Sequence, residues 1–115
     1  MKDYIVVIPA RLKSTRLPEK PLIEIFGKSI IQRTYEQCLK AVDKEVVYVA
    51  TDSDKIFDHC KSLGMQVIMT SARALTGTDR VFEVAKKIKA KYYINVQGDE
   101  PVINPEDIKE VIRKI

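Results

Sequence analysis

Residues 4–20 read YIVVIPARLKSTRLPEK, an unbroken apolar run followed by a loop that is rich in basic side chains. The run YIVVIP at 4–9 does not alternate polar and apolar residues, which is typical of a strand that is covered on both faces. Three later runs have the same character: EVVYVAT at 45–51, QVIMT at 66–70 and YYINVQ at 92–97. The four runs together predict a buried, mostly parallel sheet.

Amphipathic helical patterns separate and follow these strands. The first begins near Ser29, the second begins at Asp52 or Ser53 and ends at Gly64, and the third covers about 78–89. The fourth has Asn104 as its N-cap, with a proline directly behind it. The apolar positions on these helices are Ile31, Tyr35, Cys38 and Val42; Ile56, Cys60 and Leu63; Val81, Val84, Ala85 and Ile88; and Ile108, Val111, Ile112 and Ile115. This alternation predicts an α/β fold in three α/β/α layers, with helices on both faces of the sheet.

The composition is that of a globular protein, with 45% apolar and 31% charged residues in 115. This length suits one domain or one part of a longer domain. No apolar run reaches the ~18 residues that would span a bilayer, and the first residues lack the apolar segment of a signal peptide. We therefore predict a cytoplasmic protein without membrane insertion, in which Cys38 and Cys60 are core thiols.

The net charge of +4 is concentrated in one place. Residues 9–20 hold four cations and one acid, so that loop carries most of the net charge and the rest of the chain is nearly balanced. The aromatic side chains are not interleaved with Lys and Arg as they are on a base-stacking platform. The pattern favours a local anion site, and a nucleic-acid-binding domain is the weaker interpretation.

The basic loop lacks both common phosphate motifs, G-x-G-x-x-G and G-x-x-x-x-G-K-[ST]. Its cations Arg11, Arg16 and Lys20 repel one another, and a bound polyphosphate would relieve that repulsion. A solvated loop whose charges only maintain solubility explains the same residues. The residues of this loop leave both interpretations open.

Three other segments carry polar side chains that could serve a site. Asp99 and its acidic neighbour follow a buried strand and a glycine, an arrangement that suits either a Mg²⁺ ligand or a simple turn. In TGTDR, Thr76 and Asp79 fit a capping box, which explains most of that signal. His59 is expected on an exposed helix face without a Ser or Cys partner, so hydrolase chemistry has no support.

Five segments in this order and spacing resemble the 3-deoxy-D-manno-octulosonate (Kdo) cytidylyltransferases, the CMP-Kdo synthetases of lipopolysaccharide synthesis. The segments are IPARLKSTRLPEKPL, FGKSIIQRTYEQ, VATD, MTSARALTGTDR and INVQGDEPVI. The resemblance covers all 115 residues, and the chain is more distantly similar to CMP-sialic acid synthetases. It implies a Rossmann-like sheet of the nucleotide-diphospho-sugar transferase type. It also implies that residues 1–115 form the CTP-binding part, with the sugar-binding and dimerisation half of the family absent.

The resemblance also implies a reaction and a set of site residues. The anomeric hydroxyl of Kdo would attack the α-phosphorus of CTP, with Mg²⁺ bound at Asp99 and pyrophosphate leaving. Arg11, Arg16 and Lys20 would hold the triphosphate and offset the charge of the leaving group. The residues around the nucleoside would be Pro9, Ala10, Ser71, Arg73, Thr76 and Gln97. The family further implies a homodimer for full-length members.

Two alternatives to a Kdo-specific enzyme remain at this point. The acceptor could be another acidic sugar or a related acid, because acceptor specificity is not encoded in these residues. The chain could also be a non-catalytic nucleotide-binding module.

Overall fold

The chain forms six strands and four α-helices within residues 2–12, 19–74, 76–98 and 101–115, which the computed structural model describes. In chain order they are β1 (Lys2–Pro9), β2 (Glu24–Ile25), β3 (Lys28–Ser29), α1 (Ile30–Leu39), β4 (Val47–Thr51), α2 (Asp54–Ser62), β5 (Val67–Met69), α3 (Gly77–Lys87), β6 (Ala90–Asn95) and α4 (Pro105–Arg113). Two short 3₁₀ turns, Lys20–Leu22 and Lys44–Val46, precede β2 and β4.

β1 lies inside a four-stranded sheet of order β5-β4-β1-β6, and all of its pairings are parallel. The chain runs outward from β1 through β4 to β5, and then crosses back to place β6 on the other side of β1. The strand order therefore reverses between β1 and β6. In open parallel sheets, ligands bind beyond the carboxyl ends of the strands at such a point.

Alternate side chains of β1 enter two separate cores, one on each face of the sheet. Val6 and Ile8 pack with α1, α2 and α4, whereas Ile5 and Val7 pack with α3. All four side chains are fully buried. This arrangement confirms the predicted three-layer α/β/α fold.

Each helix begins at a residue whose side chain caps it. The hydroxyls of Ser29 and Ser53 and the side chain of Asn104 accept hydrogen bonds from backbone amides of α1, α2 and α4. Thr76 and Asp79 form the reciprocal capping box predicted for α3. The helix starts were thus readable from local sequence, and Ser53 rather than Asp52 is the cap of α2.

Three details of the prediction are wrong. Helix α1 ends at Leu39, so Val42 is buried beyond the helix and not on it. Leu63 lies just past the end of α2 as its C-cap and is 42% exposed. Strand β6 was expected to be buried on both faces, but within the described sheet it pairs only with β1, and Tyr92 is 45% exposed.

The hairpin of β2 and β3 was not predicted as strands. Each strand has two residues, too few to show a period, and the turn between them is Phe26-Gly27 with both residues at positive φ. Arg33 on α1 donates hydrogen bonds to the carbonyl oxygens of Ile25 and Phe26 and so fixes this turn. The Phe26 ring itself is 98% exposed.

The helices are short relative to a bilayer. Within the described part of the chain, none is long and apolar enough to cross a membrane.

Candidate active site

A cavity of about 320 Å³ opens beyond the carboxyl ends of β1 and β6, where the strand order reverses. Its lining consists of Pro9, Ala10, Arg11, Thr76, Gly77, Arg80 and Gln97. We call this the first cavity. Five of these residues belong to the predicted site, and the sheet brings them together from three separate loops.

Two glycines allow the backbone to close around the first cavity. A Cβ at Gly98 would lie 2.7 Å from the Pro9 carbonyl oxygen, well inside a normal contact, so only glycine fits there. A Cβ at Gly77 would lie 3.3 Å from Cγ of Pro9, which brings the first turn of α3 close to the end of β1. The Gly98 carbonyl oxygen accepts a hydrogen bond of 3.2 Å from the buried Thr34 hydroxyl on α1. The backbone at Gly98, directly before residue 99, is therefore anchored to α1.

A second cavity of about 420 Å³ adjoins the first and shares Arg11 and Arg80 with it. The remaining lining residues of this second cavity are Leu12, Asp52, Ser53, Ala72 and Ala74. They come from the loops after β1, β4 and β5. The two cavities together form a continuous concave surface along the sheet edge.

Arg80 is the site residue that sequence reasoning missed. It lies one turn into α3, is 3% exposed, and donates hydrogen bonds to the Thr70 hydroxyl and the Ala74 carbonyl oxygen. The capping box of Thr76 and Asp79 explains the pattern TGTDR without assigning a role to its last residue. An arginine is almost never fully buried unless its charge is paired, so burial in the fold, and not a local sequence pattern, singles out Arg80.

The ends of the basic loop meet across the undescribed residues 13–18. The Glu19 amide donates a 2.8 Å hydrogen bond to the Leu12 carbonyl oxygen, and the Glu19 carboxylate pairs with Lys55 of α2 at 2.5 Å. Lys20 starts a 3₁₀ turn whose Pro21 is buried. The predicted phosphate residues Arg11 and Lys20 thus lie on anchored backbone near the two ends of the loop, while Arg16 lies outside the described residues.

Ser71 and Arg73 are exposed on the loop after β5, next to the second cavity but outside the lining of either one. This loop is internally structured, because the Arg73 amide donates to the Ser71 hydroxyl at 3.0 Å. The Ser71 amide donates to the Glu83 carboxylate of α3 at 2.8 Å. These two predicted residues are therefore held on the rim of the concave surface.

Asp99, the predicted metal ligand, lies outside the described residues. Among the residues that are described, no three or more His, Cys, Asp or Glu side chains are grouped so as to hold a metal ion. A magnesium site needs less than that, since Mg²⁺ commonly takes one or two protein carboxylates and completes its shell with phosphate and water oxygens. The chemistry of one or two carboxylates directly after the anchored Gly98 fits such a site.

Two cysteines and one histidine lie outside the cavities, buried or half-buried in the protein. Cys38 and Cys60 are fully buried unpaired thiols, as predicted, and burial raises the pKa of each to about 12. The prediction for His59 was wrong: its ring is half-buried, and its Nε2 lies 2.7 Å from the Ser29 hydroxyl. Ser29 is itself buried and caps α1, so this pair joins α2 to α1 away from both cavities.

The chain matches known proteins over nearly its whole length. Residues 5–115 match the cytidylyltransferase family. The 3-deoxy-manno-octulosonate cytidylyltransferase of Escherichia coli is 43% identical over 98% of this chain and 46% of its own length. That of Geobacter metallireducens is 49% identical over 92% of this chain and 42% of its own length.

A solved structure agrees with the sequence comparison. The structure of CMP:2-keto-3-deoxy-manno-octonic acid synthetase complexed with CTP superposes with a TM-score of 0.93 at 42% identity. The superposition covers 98% of this chain and 47% of that one. The chain spans about half the length of the curated relatives it matches.

Proposed function

Because this chain belongs to the cytidylyltransferase family, we propose that it is the nucleotide-binding part of an enzyme that transfers CMP from CTP to Kdo. The observation that carries the proposal is the convergence of three family segments on the first cavity. Pro9, Ala10 and Arg11 come from IPARLKSTRLPEKPL, Thr76 and Gly77 from MTSARALTGTDR, and Gln97 from INVQGDEPVI. The domain assignment, residues 1–115 as the CTP-binding part, is part of the same proposal.

The triphosphate would bind along the basic loop. Arg11 borders both cavities, and Lys20 begins the turn at the other end of the loop. With Arg16 between them in sequence, these side chains supply three positive charges for a ligand that carries three or four negative ones. Charge-assisted hydrogen bonds of this kind are about twice as strong as neutral ones.

The nucleoside would occupy the first cavity and its rim. Pro9 and Ala10 offer backbone groups at the end of β1, and Gln97 offers an exposed amide at the end of β6 that can reach a ribose hydroxyl. Ser71, Arg73 and Thr76 would border the base from the loop that follows β5. The volume of about 320 Å³ lies within the range usual for small-molecule sites.

The metal in this proposal is Mg²⁺, with Asp99 as its protein ligand. When bound, it would neutralise phosphate charge and polarise the α-phosphoryl group. In the transfer, the anomeric oxygen of Kdo forms a bond to the α-phosphorus, and the bond to the bridging oxygen of the β-phosphate breaks. The hydroxyl proton passes to solvent, and pyrophosphate leaves beside Arg11 and Lys20, whose charges offset its own.

A cytoplasmic location and a homodimeric assembly complete the proposal. Two buried, unpaired thiols fit a reducing compartment. The homodimer is proposed for full-length members of the family.

A second candidate is a non-catalytic nucleotide-binding module. Such a module would bind CTP through the same cavities without turning it over.

A transfer assay separates these functions. The chain is incubated with CTP, Mg²⁺ and either Kdo, another acidic sugar such as N-acetylneuraminate, or no acceptor, and released pyrophosphate is measured. Release that requires Kdo supports the proposal, and release only with another acid changes the acceptor. Arg11→Ala should abolish release, whereas Arg113→Ala on the remote α4 should not. CTP binding without any release is expected both of an isolated nucleotide-binding part and of the non-catalytic module, whereas the absence of both binding and release contradicts both functions.

A further inference from the structure

Arg80 has a combination of burial and contacts that neither the family resemblance nor the capping box explains. Its guanidinium is almost fully enclosed, yet it borders both cavities. Removing a guanidinium from water is expensive unless its N–H groups are paired. The hydrogen-bond partners of the guanidinium therefore indicate the role of Arg80.

The partners of Arg80 belong to two other elements of the site wall. Nη1 donates to the Thr70 hydroxyl at 2.6 Å, and Nη2 donates to the Ala74 carbonyl oxygen at 2.9 Å. A carboxylate oxygen of Asp52, at the end of β4, lies 3.7 Å from Nη1. One planar side chain on α3 thus connects the loops that follow β4 and β5.

The two hydrogen bonds fix the start and the middle of the loop that follows β5. Thr70 is buried, and its amide donates to the Thr51 carbonyl oxygen at 2.8 Å, which continues the sheet by one step. Ala74 is buried too, while Ser71, Ala72 and Arg73 between them are exposed. Arg80 therefore holds both ends of an exposed arch, here named the 70–74 arch.

We infer that Arg80 is a positioning residue that holds the 70–74 arch where it recognises the nucleoside of the ligand. The inference rests on the proposed function, since the arch carries two of the side chains proposed to border the base. Arg80 acts through Thr70 and Ala74 and not by touching the phosphates. Its loss should weaken the part of the affinity that comes from the nucleoside and leave the part that comes from the phosphates unchanged.

Lysine cannot replace arginine in this role. A single ammonium group lacks the planar fork that reaches Thr70 and Ala74 at once. Arg80→Lys should therefore keep the charge and release one end of the arch. Thr70→Val is a gentler second change of similar volume, which removes one acceptor and leaves the arginine in place.

The test compares two probes on folded protein: CTP with Mg²⁺, and inorganic tripolyphosphate with Mg²⁺. Arg80→Lys should weaken CTP binding about tenfold or more, the loss expected for a released charge-assisted contact, with tripolyphosphate binding unchanged. Thr70→Val should shift CTP binding in the same direction by a smaller factor. The matched control is Arg33→Lys, the same chemical change at a residue that holds the β2–β3 turn by hydrogen bonds to carbonyl oxygens.

Backbone amide hydrogen exchange without ligand supplies an independent readout. The amides of residues 70–74 should exchange faster in Arg80→Lys and Thr70→Val than in the unsubstituted chain or in Arg33→Lys. Equal weakening of CTP and tripolyphosphate, or unchanged CTP affinity, would overturn the inference. If the unsubstituted chain binds no CTP, the proposed function fails, and unchanged exchange at 70–74 would then separately overturn the role of Arg80.

Discussion

At Gly98, the end of β1 occupies the space that a side chain would fill. The Pro9 carbonyl oxygen lies 2.7 Å from where a Cβ would be. Backbone atoms cannot move aside as a flexible side chain can. The close approach of β1 to the residue before the proposed metal ligand therefore depends on this glycine.

Gly98→Ala should destabilise the protein by about 1–3 kcal/mol, the usual cost of overpacking a filled interior. Urea denaturation followed by circular dichroism measures the loss. Gly77→Ala is the matched control, because its new Cβ would lie 3.3 Å from the Pro9 ring and at the ordinary distances of 3.7 and 3.8 Å from the side-chain amides of Asn95 and Gln97, and alanine favours the helix. Equal stabilities for the two variants would contradict the close approach at Gly98.

Lys20 is proposed to contact the phosphates and not the nucleoside. Lys20→Ala should weaken CTP binding about tenfold, since a charge-assisted hydrogen bond is removed, and should change CMP binding much less. Calorimetric titrations with the two nucleotides give the comparison, and Lys91→Ala on the exposed edge strand serves as control. Equal losses for CTP and CMP would refute the phosphate role.

Helix α3 brings its own cap into the first cavity. The Thr76 hydroxyl accepts from the Asp79 amide at 3.0 Å, and the same residue lines the cavity wall. Thr76 can cap α3 and contact a ligand at the same time, because its backbone and its methyl group remain available to the ligand.

Thr76→Ala should lower the free energy of unfolding by about 1 kcal/mol, the typical value of an N-cap, and Thr76→Ser should preserve it. Thermal or urea unfolding of the three proteins distinguishes these outcomes. If serine is as damaging as alanine, the threonine methyl group and not the cap stabilises this end of α3.

The elements that could be predicted are those with a local signature. Continuous apolar runs gave the parallel strands, and Ser29, Ser53 and Asn104 gave the helix starts because each cap acts on its own neighbours. The β2–β3 hairpin could not be predicted, because two-residue strands carry no period. Arg33 of α1 donates to a carbonyl oxygen of this hairpin, a contact between separate elements that no local pattern encodes.

The residues of the candidate site also divide into those that a sequence pattern predicts and those that depend on tertiary contacts. Pro9, Ala10, Arg11, Thr76 and Gln97 were selected through family segments, and parallel topology explains why separate segments meet at one edge. Arg80 could not be selected, since its importance lies in Thr70 and Ala74, ten and six residues away on another loop. Burial of an arginine is decided by the whole fold.

The two thiols make the stability of the whole molecule dependent on alkaline pH. Burial raises the pKa of Cys38 and Cys60 from 9.0 to about 12 in the folded chain. Well below pH 9 both thiols are neutral in either state, so they do not bias folding. Above it the unfolded chain loses these protons first, so the free energy of unfolding should fall as pH rises from about 9 towards 12.

Urea midpoints measured between pH 8 and pH 10.5 should show this decline. A Cys38→Ala, Cys60→Ala double variant, although less stable at pH 8, should show a flatter decline. The same slope in both proteins would mean that other groups cause the pH dependence. In the native chain at pH 8, neither thiol should react rapidly with a thiol reagent, because both are enclosed.

At the scale of the whole molecule, the edge of the sheet that carries the first cavity and the basic loop is proposed to recognise CTP. The most direct measurement is a calorimetric titration of the 115-residue chain with CTP in the presence of Mg²⁺, alongside UTP, ATP and GTP. CTP should bind saturably and at least about tenfold more tightly than the other three nucleotides. Equal affinity for all four, or no binding of CTP, would contradict this proposal.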